Sequence, residues 1–221
     1  MKQRAFSFPN IPDYRASSYV VSPCNTDVYQ WLHAWPAWSE TRGTLITGEP
    51  FSGKTHLCYT FLERHSHARM FNGYVCTNYH PFDLNESLFI IDDADKASSE
   101  WLFHLYNHIK AKDGHLILTT TKPHHEWCDL PDLTSRLSTL QTFTLNLPDD
   151  DMVSALLRKN LNDCGVVVDE SVLTYLTQRI DRSYISLYEC VHLLERLSAE
   201  QKRNITISFA RSILSNIIHD V

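Results

Sequence analysis

Gly48-Glu49-Pro50-Phe51-Ser52-Gly53-Lys54-Thr55 fits the spacing G-x-x-x-x-G-K-[ST] at every fixed position. Glycines let such a loop curl until its backbone N–H groups surround a phosphate, and a helix beginning at the lysine points its positive end inward. The Lys54 ammonium then reaches the β- and γ-phosphates of a nucleotide, and the Thr55 hydroxyl holds Mg2+. A chance match in an ordinary strand–turn–helix is the competing explanation. The context argues against it, because a strand is expected just before the loop and a helix just after. Leu88-Phe89-Ile90-Ile91-Asp92-Asp93 is a second, independent element. A buried strand ending in a carboxylate delivers it to the C-terminal edge of a parallel sheet, where phosphates sit. Asp92 is then placed to contact the Mg2+ through water, and Asp93 to orient or deprotonate an attacking water.

The elements that must carry these residues follow from the apolar patterning. Thr44-Leu45-Ile46-Thr47 is short, apolar and β-branched, a buried-strand signature running straight into the loop. Lys54 to Ser66 is compatible with a helix. Further strands are expected at Tyr74-Val75-Cys76-Thr77, Leu88–Ile91, Leu116-Ile117-Leu118-Thr119 and Thr142-Phe143-Thr144-Leu145, with helices near 98–112 and 132–138. Strands that are apolar throughout and alternate with helices predict an α/β fold, a parallel sheet covered by helices on both faces. Upstream, Val28, Trp31, Leu32 and Trp35 space out an amphipathic helix that Pro36 ends. Residues 1–12 hold Pro9 and Pro12 without periodicity and read as an extended tail.

After Pro148 the pattern becomes helical only. Asp149-Asp150-Asp151 opens one helix, with Val153, Leu156, Leu157 and Leu161 as its stripe and Gly165 as its stop. Asp169 is expected to cap a second, Leu187, Val191, Leu194 and Leu197 mark a third, and Thr206 is expected to cap a fourth. The boundary is therefore set near Leu147–Pro148, giving a tail (1–12), a sheet domain (13–147) and a small all-α domain (148–221).

Twenty basic residues against 26 acidic ones give 221 residues a formal charge of −6, with 43% hydrophobic and 21% charged residues. That is the composition of a globular protein, and neither domain has the net basic balance of a duplex-DNA reader. No apolar run is long enough to span a bilayer. Met1-Lys2-Gln3-Arg4 is not followed by the apolar stretch of a secretory signal, so six reduced cysteines and a cytoplasmic location are expected. No pair of cysteines has C-x-x-C spacing. His104 and His108 lie one helical turn apart without the glutamate of H-E-x-x-H, and His124-His125-Glu126 reads as a solvated loop. Trp31, Trp35 and Trp38 read as packing residues rather than a base-stacking platform, since basic charge around them is missing.

A phosphate loop, a sheet carboxylate from a later strand and then a helical lid is the layout of the AAA+ ATPases. Gly53-Lys54-Thr55-His56-Leu57, Leu88-Phe89-Ile90-Ile91-Asp92-Asp93 and Leu130-Pro131-Asp132-Leu133-Thr134-Ser135-Arg136-Leu137 resemble the DnaA-related members of that class, in particular the short Hda-like ones. Ser22-Pro23-Cys24-Asn25 stands where that family has its adenine-side box, and the resemblance runs from about residue 13 to about 215. It implies ATP or ADP with Mg2+ as ligands, bound through Gly48, Ser52, Gly53, Lys54, Thr55 and His56, with Thr55 and Asp92 serving the metal. It also implies that Arg136 is an arginine finger offered to ATP-bound DnaA, a device worth about 10³-fold or more in rate. Gln3-Arg4-Ala5-Phe6-Ser7-Phe8 has the shape of the family's sliding-clamp-binding peptide, in which Phe6 and Phe8 fill an apolar cleft and the Gln3 amide seeks polar partners. By the same resemblance, the initiator's DNA-binding domain is expected to be absent, since the sequence stops after the lid.

Two positions depart from the family pattern. The sensor-one position falls on Thr121, where Asp or Asn is commoner, although a hydroxyl can still hydrogen-bond. The sensor-two arginine of the lid is replaced by Ile185, with Arg182 almost one turn earlier as a candidate substitute. An isoleucine cannot donate to a phosphate, so weak intrinsic ATPase activity is expected. The first reading is a regulator of replication initiation that stimulates hydrolysis by DnaA; the alternatives are a self-assembling homo-oligomeric AAA+ ATPase such as a helicase loader and a nucleotide-gated clamp adaptor.

Overall fold

The computed structural model describes residues 13–38 and 41–218. They divide into two compact units, one spanning Tyr14–Asn146 and the other beginning at Leu147.

The first unit is a parallel five-stranded sheet covered on both faces. Its strands are β1 (Gly43–Thr47), β2 (Arg69–Asn72), β3 (Leu88–Asp92), β4 (His115–Thr120) and β5 (Gln141–Thr144). They lie in the order β2-β3-β4-β1-β5. Every position of β1 and β3 is buried, as the unbroken apolar runs predict. Within those runs the pleat still sorts side chains by period two. Leu45, Phe89, Ile91, Leu116 and Leu118 pack into one cluster with α3 (Ser99–Ala111) and α4 (Pro131–Leu137). Ile46, Leu88, Ile90 and Ile117 pack into another with α1 (Thr26–His33) and α2 (Lys54–Arg64). Trp31 and Trp38 stack with ring centroids 5.5 Å apart in the latter, so these tryptophans are core material.

The strand expected at Tyr74–Thr77 is not there. β2 lies earlier, at Arg69–Asn72, and Cys76–Asn78 form a single 3-10 turn. Gly73 is the reason the chain leaves the sheet at that point. A Cβ on it would stand 2.1 Å from the Asp93 carbonyl oxygen, and its N–H donates to the Asp92 carbonyl at 2.7 Å. The chain beyond Gly73 carries Tyr74 and Val75 exposed, so β-propensity without a partner strand makes no strand.

The described residues of the second unit form four helices: α5 (Asp150–Asp163), α6 (Glu170–Thr177), α7 (Tyr184–Gln201) and α8 (Ile207–Ile218). Asp149 caps α5, its carboxylate accepting from the Met152 N–H at 2.7 Å, and Thr206 caps α8 by accepting from the Phe209 N–H at 3.3 Å. Asp169 occupies the N-cap position of α6 but makes no side-chain cap bond, contrary to expectation. The start of α7 is capped by Ser183, which accepts from Ser186 N–H at 3.1 Å. Val153, Leu157, Leu161, Leu173, Leu187 and Leu194 are among the residues closing the core of this unit. No helix among the described residues is long and apolar enough to cross a membrane.

Candidate functional site

The site lies at the C-terminal edge of the sheet. β4 runs between β1 and β3, with Thr47 opposite Thr120 and Ile91 opposite Leu118. That register sets the ends of three strands side by side: Thr47-Gly48, Asp92-Asp93 and Thr119-Thr120. The loop after β1 is tied to β4 by the Gly48 N–H, which donates to the Thr120 carbonyl at 3.2 Å.

Gly53 sits at φ 89°, a left-handed conformation that glycine adopts without steric cost, and it turns the loop into the first residue of α2. The Ser52 hydroxyl is buried with no hydrogen-bond partner among the described residues. Lys54 is only 6% exposed, and its Nζ donates to the Gly48 and Glu49 carbonyls, both at 2.8 Å. Burial lowers the Lys54 pKa, while the charges of Asp93, Asp92 and Asp95 push it back up. An ammonium has three donors, so a third remains for an incoming acceptor. Thr55 donates to Asp92 Oδ2 at 2.7 Å, so the hydroxyl and the carboxylate assigned to the metal from sequence stand together.

Asp93 turns the chain out of β3 at φ 53°. Burial raises its pKa, and the neighbouring charges of Asp92 and Asp95 raise it further against the pull of Lys54. A carboxyl whose folded pKa is raised costs folding stability once the pH climbs above the ordinary 3.8, and costs nothing below it. Asp93→Asn is therefore expected to melt at a higher temperature than the unaltered chain at neutral pH, with the advantage shrinking to nothing as the pH falls to about 3.8. Melting curves followed by circular dichroism across that range check it; a variant less stable at neutral pH contradicts it.

Not every residue singled out from sequence converges here. Thr121 donates to Asp95 Oδ2 at 3.2 Å rather than to Asp92. Asp95 in turn pairs with Lys96 at 2.7 Å, while its Oδ1 is buried with no partner among the described residues. His56 faces the segment before α1: its Nε2 lies 2.9 Å from the Arg15 carbonyl, and its ring meets Tyr19 edge-on at 5.1 Å. Asn25 of the adenine-side box braces that segment, accepting from Ser22 N–H at 2.9 Å and donating to the Val20 carbonyl at 2.9 Å and the Tyr19 hydroxyl at 3.2 Å.

Arg136 belongs to a separate place on the first unit. Leu133 and Leu137 anchor α4 in the core, which leaves Arg136 part-exposed. Its guanidinium lies over the Phe103 ring, 4.3 Å from the centroid, with Nε donating to Asn107 Oδ1 at 3.1 Å and Nη1 to the Asp132 carbonyl at 2.9 Å. In the second unit Arg182 pairs with Asp150 at 2.7 Å, both well exposed, an ion pair worth about 1 kcal/mol at most. Ile185 is 37% exposed in the first turn of α7. Gln3, Phe6 and Phe8 lie outside the described residues. The described residues hold no group of three or more His, Cys, Asp or Glu side chains able to bind a metal by themselves.

Sequence reasoning missed Thr119, Asn107 and Asp95. Thr119 is fully buried, donates to Asp92 Oδ1 at 2.5 Å and accepts from the Asp93 N–H at 3.0 Å. Only the strand register brings it there, and no local spacing announces it.

An orphaned buried hydroxyl, a left-handed glycine, a buried ammonium with a free donor and a Thr–Asp pair together suit a phosphate group carrying Mg2+. Comparison with known proteins agrees on the fold. Residues 149–214 match the family model of the Hda lid domain. An uncharacterized protein of Haemophilus influenzae is 29% identical over 189 residues, 77% of this chain and 80% of that protein. Domain III of the replication initiation protein DnaA from Thermotoga maritima superposes with a TM-score of 0.75 at 18% identity, covering 95% of this chain and 98% of that one. AMPPCP-bound DnaA from Aquifex aeolicus gives 0.66 at 16% identity over 87% of this chain and 68% of that one. The sheet unit and the helical region after it thus make an AAA+ fold like that of DnaA domain III, and the helical region resembles the Hda lid in sequence.

Proposed function

We propose that this chain, an AAA+ protein of the Hda- and DnaA-related kind, regulates replication initiation by promoting ATP hydrolysis on DnaA. The observation that carries the reading is the Hda lid-domain match over residues 149–214. The chain binds ATP or ADP through Gly48, Ser52, Gly53, Lys54 and Thr55, with His56 bracing the segment that leads to the adenine-side box. Thr55 and Asp92 hold Mg2+, which when bound offsets phosphate charge. Asp93 and Thr121 act on water at the same sheet edge.

Arg136 acts in trans. Its guanidinium is already held by Phe103 and Asn107, and such pre-organisation lowers the entropy lost when it meets a γ-phosphate on a partner. Ile185 in place of an arginine, with Arg182 engaged by Asp150, supports weak hydrolysis by the chain itself. Gln3, Phe6 and Phe8 dock on the sliding clamp and bring Arg136 to DnaA on clamp-loaded DNA. The site of action is the cytoplasm.

Phosphate release from ATP-loaded DnaA tests this, with the chain and clamp-loaded DNA added separately and together. Stimulation only when both are present is expected. No stimulation even with both present, while nucleotide is still bound to the chain, overturns the reading in favour of a loader or an adaptor.

A further inference from the structure

We propose that Thr119 is a positioning residue that fixes the Asp92 carboxylate for Mg2+, an inference that rests on the nucleotide-binding reading above. Asp92 is 4% exposed and both of its oxygens are taken by hydroxyls from different elements: Oδ2 by Thr55 at 2.7 Å from α2, and Oδ1 by Thr119 at 2.5 Å from β4. Two donors on opposite oxygens define the plane of a carboxylate, and hydroxyl-to-carboxylate bonds are the short, strong kind. Thr119 does this from a position that the sheet itself determines. Ile91 pairs with Leu118, so the next residues along the two strands are Asp92 and Thr119.

The same hydroxyl has a second duty. A hydroxyl has one proton to give and lone pairs to receive. Having given its proton to Asp92, the Thr119 oxygen accepts the Asp93 N–H at 3.0 Å. Asp93 is a non-glycine residue at φ 53°, a conformation that persists only where its surroundings hold it. Thr119 thus couples the direction of the Asp92 carboxylate to the turn that aims Asp93. The adjacent hydroxyls are engaged elsewhere, Thr120 with the Lys122 carbonyl at 2.8 Å and Thr121 with Asp95 at 3.2 Å. Groups one step removed from a metal that orient its ligands commonly matter by roughly 10- to 100-fold in metal affinity.

The test measures binding of ADP to the full chain by calorimetry, once with Mg2+ and once with EDTA, alongside a melting curve. In Thr119→Val, which keeps shape and loses the hydroxyl, the Mg2+ dependence of ADP affinity is expected to fall roughly 10-fold or more, while affinity in EDTA stays native. Thr119→Ser, which restores a hydroxyl, is expected to recover most of that dependence. If Thr119→Val does not fold, Thr119→Cys with its weak thiol donor takes its place, with the same loss expected. Native Mg2+ dependence in the folded hydroxyl-free variant overturns the proposal, as does an equal loss of affinity with and without Mg2+, which marks a merely structural residue. If the unaltered chain itself binds ADP without regard to Mg2+, the metal part of the nucleotide reading falls and this proposal falls with it.

Discussion

Arg136→Ala is expected to abolish stimulation of hydrolysis on ATP-loaded DnaA, a loss of about 10³-fold or more, while the chain still folds and still binds nucleotide. The size follows from what a guanidinium does against developing phosphate charge in a site that excludes water. The selectivity follows from where Arg136 sits. It is part-exposed, and what it loses inside the chain is one hydrogen bond to Asn107, one to a carbonyl of its own helix, a face-on contact with Phe103 and a more distant one with Tyr106 at 6.0 Å. Partly solvated contacts of this kind are worth about 1 kcal/mol each, too little to unfold a helix anchored by Leu133 and Leu137. None of its hydrogen bonds reaches the phosphate loop. Arg136→Lys is expected to fail nearly as badly, because an ammonium lacks the planar fork that Asn107 and Phe103 hold in place. Phosphate release with clamp-loaded DNA present is the measurement, with ADP affinity as the control. Unimpaired stimulation by Arg136→Ala removes the trans-acting role altogether.

What the sequence reveals and what it conceals divide along the range of the interactions. The phosphate loop is legible because its chemistry is local: eight neighbouring residues supply the turn, the hydroxyls and the ammonium. Asp92 is legible because an apolar run ending in a carboxylate says which end of the strand it occupies. Thr119 is not, because its importance depends on which strand lies beside β3, and the order β2-β3-β4-β1-β5 is not written in any short motif. Tyr74–Thr77 is deceptive for a related reason: strand propensity yields a strand only where a neighbouring strand is available to pair. The chain had already left the sheet at Gly73, where the backbone of Asp93 comes too close for any side chain. Asn107 is hidden by its setting on an amphipathic helix, where an asparagine looks like any other polar residue until Arg136 is found against it. Asp169 shows the converse: a residue type suited to capping reached the capping position, and its carboxylate made no bond there.

Lys54→Ala carries the second large effect, an expected fall in nucleotide affinity of about 30-fold or more, equivalent to the 2–5 kcal/mol commonly lost when a buried charge partner is removed. The buried Nζ holds two loop carbonyls at 2.8 Å, so its removal both takes away the positive charge and frees the Gly48 and Glu49 carbonyls to face an incoming phosphate. Three carboxylates, those of Asp92, Asp93 and Asp95, then act on the site without the ammonium they support. Anion binding suffers on both counts. Calorimetric titration with ADP and Mg2+ measures the loss, and native affinity in Lys54→Ala contradicts the phosphate-loop assignment. Beside Arg136→Ala the variant also separates the functions left open by the sequence. A regulator whose docking depends on bound nucleotide loses stimulation of DnaA in both variants but loses nucleotide only in Lys54→Ala. A clamp adaptor needs Lys54 and is indifferent to Arg136. A self-assembling ATPase loses its own turnover in both, since in a homo-oligomer each Arg136 would serve the nucleotide of the next copy. The two substitutions alter one side chain each, and the combination of binding and hydrolysis they leave behind differs for every one of these functions.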